Sequence, residues 1–188
     1  KDCADFWVSR AEKGSDGLYS IKAVVGADEY AIGVSDNAFT NAAVKRSLEY
    51  AGRAARLLGL KADPQWEDLE KNIRFHFITG TDIVAEYEGY AGEKIKQADV
   101  ALLAYPLHLF RTPDEIERNL TYYDSKIDSV NGPAMSHSAM AVNYARMGKG
   151  ERASRLVGRA YEPNLRGPFH NLSESSGNDH VYFVTGAG

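Results

Sequence analysis

Segments with helical periodicity follow one another along most of this chain, which favours a helical fold. The strongest lies at 37–58, where apolar residues recur at steps of three and four. It ends just before Gly59, and glycine commonly follows the last turn of a helix. One long amphipathic helix is predicted here, and we expect Ser35 or Asp36 to cap its start.

Further helices are predicted from their start and stop signals. Asp63 and Thr112 each precede a proline, which is the order of an N-cap and a first helical residue. Gly148 and Gly150 separate two more segments, which predicts an antiparallel helical hairpin. The predicted ranges are 63 to about 73, a helix starting at 112–113, 136–147 and 151–161, with the most apolar helix at 100–107.

Residues 74–90 have a different pattern. Polar and apolar residues alternate there around Gly80, which favours a short hairpin or an extended loop. We interpret this stretch as an insertion between helices rather than as part of a sheet.

Charge and composition exclude several classes of function. Of the 188 residues, 44% are hydrophobic and 26% are charged, as in an ordinary globular domain. The net charge is −4 and no run of Lys and Arg is present, so we expect no nucleic-acid partner. The longest apolar run falls far short of the roughly 20 residues that cross a bilayer, so no membrane partner is expected either.

Metal and cofactor sites are not predicted. Cys3 is the only cysteine, which excludes an internal disulfide and a cysteine-rich zinc site. The five histidines have no pair at metal-ligand spacing on one helix, and no glycine-rich phosphate loop is present. The first seven residues have charges among the apolar positions, so we interpret them as the middle of a helix and not as a signal peptide.

Asp28, Glu29 and Tyr30 lie in a glycine-bounded loop ahead of the long helix. In one interpretation the two carboxylates are solvated loop acids, one of which stabilises the helix N-terminus. In the other, one carboxyl group is held against the aromatic ring of Tyr30. In the second case desolvation would raise the pKa of the carboxyl group and keep it protonated as a general acid. The residues by themselves favour the first interpretation.

Two other polar stretches offer partners for such an acid. Glu174 lies in a polar loop at 168–180, where it would be an ionised base or a surface acid. Lys96 and Gln97 are able to donate hydrogen bonds to sugar hydroxyls, although a lysine at a helix start is commonly just exposed.

Five ordered motifs give the chain a resemblance to a known family, the catalytic domain of glycoside hydrolase family 65. This family contains disaccharide phosphorylases, acid trehalases, kojibiose hydrolases and glucosylgalactosyl-hydroxylysine glucosidases. The motifs cover nearly all of the chain: Gly26-Ala27-Asp28-Glu29-Tyr30, Lys96-Gln97-Ala98-Asp99-Val100, Arg118-Asn119-Leu120-x-Tyr122-Tyr123, Asn131-Gly132-Pro133-Ala134-Met135 and Phe183-Val184-Thr185-Gly186-Ala187-Gly188.

The resemblance implies an all-α fold, part of an (α/α)6 barrel with short irregular or hairpin insertions. Residues 1–188 would be a single segment, the C-terminal part of that barrel. We expect the rest of the barrel to come from a missing N-terminal half or from a homo-oligomer. The resemblance leaves the compartment open, and we favour an extracytoplasmic one.

The resemblance also implies roles for individual residues. Glu29 would be the general acid and Glu174 the base, while Lys96 and Gln97 would contact the glucosyl unit. Asp28 and Tyr30 would join them in binding the small oligosaccharide substrate. An inverting reaction of this kind predicts that the two carboxyl groups lie about 6.5–9.5 Å apart, which leaves room for a water.

The form of the fourth motif, Gly132-Pro133-Ala134-Met135, is similar to the hydrolytic branch of the family. We therefore expect an inverting α-glucosidase for short α-linked glucosides such as kojibiose, trehalose or glucosylgalactose. The alternatives are a phosphate-dependent disaccharide phosphorylase of the same fold and a non-catalytic carbohydrate-binding helical domain. His137, close behind this motif, is expected to be a packed helix residue rather than a sugar contact.

Overall fold

The structure is a computed structural model, and it describes residues 1–177 and residue 183. This described part contains six α-helices and three two-stranded antiparallel sheets. Its contacts divide it into two compact units. Unit 1 comprises Lys1–Gly26 and Ile32–Tyr90, and unit 2 comprises Ala27–Ala31 and the described part of Ala91–Gly188.

Unit 1 is built on three helices, α1 (Asp2–Arg10), α2 (Ala38–Leu57) and α3 (Pro64–Asn72). Their apolar faces meet in a core centred on Ile21, Val44, Leu48, Trp66 and Leu69. Two short hairpins complete the unit: β1 (Glu12–Lys13) pairs with β2 (Tyr19–Ser20), and β3 (Val24–Val25) pairs with β4 (Ile32–Val34).

Unit 2 contains α4 (Pro113–Asp124), α5 (Met135–Arg146) and α6 (Gly150–Tyr161), followed by the pair β5 (Leu165–Arg166) and β6 (Asn171–Leu172). Helices α5 and α6 pack against each other as a hairpin. The buried side chains include Ile95, Leu120, Tyr123, Met140 and Tyr144. The three helices thus form a compact support for the loops around them.

Most of the predicted helix starts are confirmed. The side chain of Asp63 accepts the backbone N–H of Gln65 at 2.9 Å, and that of Thr112 accepts the N–H of Glu115 at 3.2 Å. Phe77 and Val84 pair across a turn that contains Gly80, which confirms the predicted hairpin at 74–90. The all-α fold class with short hairpin insertions is confirmed, whereas the single segment 1–188 stays a prediction.

Two local predictions are wrong. Helix α2 is capped by Asn37, whose Oδ1 accepts the N–H of Thr40 at 2.8 Å, and not by Ser35 or Asp36. The apolar run at 100–107 forms only a 3-10 turn at Val100–Leu103, because Pro106 lacks the N–H that would continue a helix. None of the helices in the described residues is long and apolar enough to span a membrane.

Candidate active site

The loop that joins β3 to β4 carries three of the predicted site residues, and Asp28 braces it from inside. Asp28 is only 2% exposed. Its Oδ1 accepts the backbone N–H groups of Tyr30 at 3.2 Å, Lys96 at 2.8 Å and Gln97 at 3.2 Å. Because Asp28 is buried and this oxygen is occupied by backbone donors, the structure gives Asp28 a bracing role. Its predicted contact with a sugar stays a prediction.

Two further side chains bind the same loop, Ala27–Ala31, which we call the acid loop. The buried Gln97 accepts the N–H of Glu29 through Oε1 at 3.0 Å, and Asp99 accepts the N–H of Ala27 through Oδ2 at 3.0 Å. Residues 95–99, which we call the lysine segment, are therefore cross-linked to the acid loop in both directions. Sequence reasoning quoted Asp99 within a motif but gave it no role.

Lys96 lies between the two candidate catalytic carboxylates. Its Nζ is 2.5 Å from Oε2 of Glu29 and 3.8 Å from Oε1 of Glu174. Through these two contacts, Oε2 of Glu29 and Oε1 of Glu174 lie slightly closer together than the shortest separation predicted for the two carboxyl groups. This upper limit holds for these two oxygen atoms, and the separation of the whole carboxyl groups stays a prediction.

The ammonium of Lys96 stabilises the charged form of Glu29. Hydrogen bonds from Lys96 and from the side chain of Gln97 lower the pKa of Glu29. In turn, the hydrogen bond to Glu29 raises the pKa of Lys96. The raised pKa expected for a carboxyl group against an aromatic face is therefore wrong for this state. The physical reason is that the Glu29 side chain is 60% exposed and paired with a cation, so desolvation is a minor influence.

Tyr30 follows Glu29 and is 49% exposed. Its hydroxyl donates to Oδ2 of Asp128 at 3.2 Å. Partial burial and the charge of Asp128 raise the pKa of Tyr30. The ring is thus fixed at its hydroxyl end while much of its surface remains open to solvent.

Asp128 is a residue that sequence reasoning missed. It is 9% exposed, and hydrogen bonds from Asn131 and Val130 lower its pKa to about 2. The signal was present, because an aspartate shortly before Asn131-Gly132 is typical of a turn in which the carboxylate accepts backbone N–H groups.

Glu174 belongs to residues 173–177, which we call the base loop. The loop is anchored by Ser173, whose N–H and hydroxyl both donate to the carbonyl of Asn164, at 2.8 and 3.0 Å. The carbonyl of Glu174 accepts the N–H of Ala134 at 2.9 Å. The carboxylate of Glu174, by contrast, is partly exposed on the Lys96 side.

All six predicted site residues thus lie in unit 2. A groove of about 730 Å³ lies in unit 1 between α1, the end of α2 and the start of α3, and none of the six residues lines it. His137 is buried in α5, as predicted for a packed helix residue, and burial lowers its pKa. Across residues 1–177 and 183, no cluster of three His, Cys, Asp or Glu side chains is arranged to hold a metal ion.

One of the five motifs is only partly visible. In Phe183-Val184-Thr185-Gly186-Ala187-Gly188 the structure describes Phe183, whose N–H donates to the carbonyl of Leu172 at 3.1 Å. The remaining residues of that motif lie outside the described residues.

Comparison with known proteins gives a consistent result. Residues 2–95 match the family described as "Glycosyl hydrolase family 65 central catalytic domain". The chain is 44% identical over 187 residues to a kojibiose hydrolase of Mucilaginibacter mallensis, covering 99% of this chain and 27% of that protein. It is 38% identical over 188 residues to a protein-glucosylgalactosylhydroxylysine glucosidase of Danio rerio, covering 98% of this chain and 27% of that protein.

More distant relatives extend this result. A periplasmic acid trehalase of Saccharomyces cerevisiae is 32% identical over 181 residues, which cover 94% of this chain and 15% of that protein. A solved structure from the human microbiome, described as a candidate kojibiose phosphorylase, superposes with a TM-score of 0.68 at 17% identity. It covers 81% of this chain and 27% of that one, and at this identity the likeness is one of fold. The chain spans about 27% of the length of the first curated relatives it matches.

Proposed function

This chain belongs to glycosyl hydrolase family 65, and from that premise we propose that it carries the acid and the base of an inverting α-glucosidase. The observation that carries the proposal is the position of the Lys96 ammonium between the carboxylates of Glu29 and Glu174. A glycosidase needs two carboxyl groups, one on each side of the scissile bond. Glu29 and Glu174 are far apart in the sequence, yet both lie beside the same ammonium group.

In the proposed reaction, Glu29 donates its proton to the glycosidic oxygen as the bond between that oxygen and the anomeric carbon breaks. A water attacks the anomeric carbon from the opposite face, and Glu174 takes a proton from that water. The product is glucose with the opposite anomeric configuration, because the attack and the departure occur on opposite faces.

The ion pair between Lys96 and Glu29 has to open for this reaction. A general acid must hold a proton, and the lysine keeps the carboxylate of Glu29 charged. We propose that sugar hydroxyls accept the N–H donors of Lys96 and Gln97 when substrate binds. Loss of the lysine contact then allows the pKa of Glu29 to rise, so that protonation of the acid is coupled to occupation of the site.

The proposed substrates are short α-linked glucosides such as kojibiose, trehalose or a glucosylgalactose unit. The similarity to proteins named kojibiose hydrolase and protein-glucosylgalactosylhydroxylysine glucosidase supports this class. The motif Asn131-Gly132-Pro133-Ala134-Met135 resembles the hydrolytic branch of the family, which supports water rather than phosphate as the nucleophile.

The proposal is tested by incubating the full-length protein with kojibiose and trehalose, with and without inorganic phosphate, while NMR identifies the first anomer released. We expect β-glucose without any need for phosphate. From trehalose, inversion gives β-glucose from the attacked unit and an equal amount of α-glucose from the leaving unit, so release of α-glucose alone would contradict inversion. Strict dependence on phosphate with release of glucose 1-phosphate would assign a phosphorylase. Binding of sugar without turnover by the intact protein would assign a carbohydrate-binding domain.

Two properties of the whole protein belong to the same proposal. An extracytoplasmic location is supported by the relatives named periplasmic or secreted acid trehalase, and fractionation of the native host tests it. We also propose that further barrel helices come from another segment of the protein or from a second copy, since the chain spans only about 27% of its relatives. Light scattering of the purified protein distinguishes these two sources.

A further inference from the structure

One turn contacts all three segments that carry the candidate acid, lysine and base. It comprises residues 128–134, and we call it the Asp128 turn. None of its residues donates or accepts a proton in the reaction proposed above. Each of the three contacts is made by different atoms of the turn, so that it forms a junction between parts of the chain that are far apart in sequence.

The contact with the acid loop is made by the carboxylate of Asp128. Oδ2 accepts the hydroxyl of Tyr30 at 3.2 Å across a separation of 98 residues. Glu29 immediately precedes Tyr30, so the position of this ring bears directly on the backbone of the candidate acid.

The contact with the lysine segment is made by backbone. The N–H of Asp128 donates to the carbonyl of Ile95 at 2.9 Å. At Gly132 the turn lies close to the backbone of the lysine segment. A Cβ added there would lie 2.4 Å from the carbonyl oxygen of Asp128 and 2.9 Å from the carbonyl oxygen of Lys96. The hydroxyl of Ser136, just after the turn, donates to the same Lys96 carbonyl at 3.2 Å.

The contact with the base loop consists of hydrogen bonds in which the loop and the turn each supply donors. The N–H of Ala134 donates to the carbonyl of Glu174 at 2.9 Å, and the N–H of Gly177 donates to the carbonyl of Val130 at 2.8 Å. The hydroxyl of Ser176 donates to the carbonyl of Ser129 at 3.0 Å. The turn therefore holds the backbone of the candidate base at Glu174 itself and on its C-terminal side, while Ser173 is held by Asn164.

The shape of the turn depends on the Asp128 side chain. Oδ1 accepts the N–H groups of Val130 and Asn131, both at 3.0 Å, and Oδ2 accepts the side-chain amide of Asn131 at 3.1 Å. A neutral side chain at this position cannot accept all of these donors and the Tyr30 hydroxyl together.

We infer that Asp128 is a positioning residue, which fixes the Tyr30 ring and holds the acid loop, the lysine segment and the base loop in register through its own turn. Its effect on catalysis rests on the proposed function, whereas its effect on the three segments does not. The Tyr30 ring would then hold a fixed orientation and pack against the bound sugar.

The test uses the full-length protein with the variants Asp128→Asn, Tyr30→Phe and the double variant. Hydrogen exchange read by mass spectrometry is the first measurement, because it requires no turnover. We expect Asp128→Asn to speed exchange about tenfold in the acid loop, the lysine segment and the base loop together, since charge-assisted hydrogen bonds are lost. Asp36→Asn is the matched control, because Asp36 is also a buried carboxylate and accepts the N–H of Ile21 at 3.0 Å within unit 1.

Faster exchange confined to 128–132, or an equal effect of Asp36→Asn on the three segments, would overturn the inference. The second measurement is kcat and KM on kojibiose. Because the Tyr30 hydroxyl acts through Asp128, the double variant should have the same kcat/KM as Asp128→Asn. If the losses in kcat/KM of the two single variants multiplied in the double variant, the coupling would be contradicted. If the protein hydrolyses no glucoside, the proposed function fails while the exchange data still decide the role of Asp128.

Discussion

The ammonium of Lys96 donates to the carboxylate of Glu29 across 2.5 Å. This contact lowers the pKa of Glu29 and so favours the charged form of the candidate acid, which is the form that cannot donate a proton. The contact makes Lys96 a control on the ionisation of Glu29 as well as a candidate sugar ligand, and it leads to a prediction about pH.

Replacing Lys96 by Met should move the alkaline limb of the kcat/KM profile to higher pH. Activity requires protonated Glu29 and falls as pH rises through the pKa of that group. Lys96 lowers this pKa, so its removal raises the pKa and extends activity upwards in pH. The profile is measured on kojibiose, with the exposed Lys94→Met as the control. An unchanged limb in Lys96→Met would mean that Glu29 is not the acid.

The two carboxylates should differ in their response to the leaving group. Glu29→Gln should lower kcat on kojibiose by about 10²- to 10⁴-fold but spare much of the activity on glucosyl fluoride, whose leaving group needs no proton. Glu174→Gln should lower both rates, because attack of water is needed for either substrate. Glu151→Gln, at a fully solvated position on α6, serves as the control. Equal losses on both substrates in Glu29→Gln would argue against its role as acid.

Asp28 should behave as a brace of the acid loop. Asp28→Ala removes the acceptor of three backbone N–H groups, and each group left unsatisfied costs about 1–3 kcal/mol. Asp28→Asn retains one acceptor oxygen, so it should keep more stability and more activity than Asp28→Ala. Denaturant unfolding and KM measure the two effects. If Asp28→Ala kept the stability of the native protein but lost sugar affinity, Asp28 would instead be a sugar ligand.

Gly132 should tolerate no side chain. Gly132→Ala would force a Cβ against two backbone carbonyls, a kind of overpacking that costs about 1–3 kcal/mol or more. Gly150→Ala is the matched control, because the space around Gly150 is open and the position begins α6. We expect that control to be neutral or stabilising by up to about 1 kcal/mol in thermal unfolding. Similar unfolding curves for the two variants would show that the close approach at Gly132 is relaxed in solution.

The parts of the fold that could be predicted are those set by local chemistry. Asp63 and Thr112 each cap a helix that starts with proline, and both the acceptor and the N–H it serves lie within three residues. The cap of α2 was predicted wrongly for a tertiary reason. Asp36 was available in sequence, but its carboxylate accepts the N–H of Ile21 and the hydroxyl of Ser20, so Asn37 caps the helix.

The candidate site divides in the same way. The residue patterns alone favoured solvated acids at Glu29 and Glu174, and only the resemblance to the family gave Glu29, Lys96 and Glu174 roles at one site. The structure brings these side chains together around one ammonium. The turn around Asp128 has a local signal, but its contact with Tyr30 does not, because the two residues are 98 positions apart and no periodicity or spacing reports a contact over that length.

Local sequence patterns predicted most of the helices and their proline-marked starts, but not the 3-10 turn at Val100–Leu103. The roles of the charged residues followed from tertiary contacts: Asp28 is a buried brace, and Glu29 is an exposed carboxylate paired with Lys96. The physical reason is that capping and amphipathic patterning depend on neighbours within one or two turns. Ionisation depends instead on distance and solvent exposure, which are fixed only when remote segments pack together.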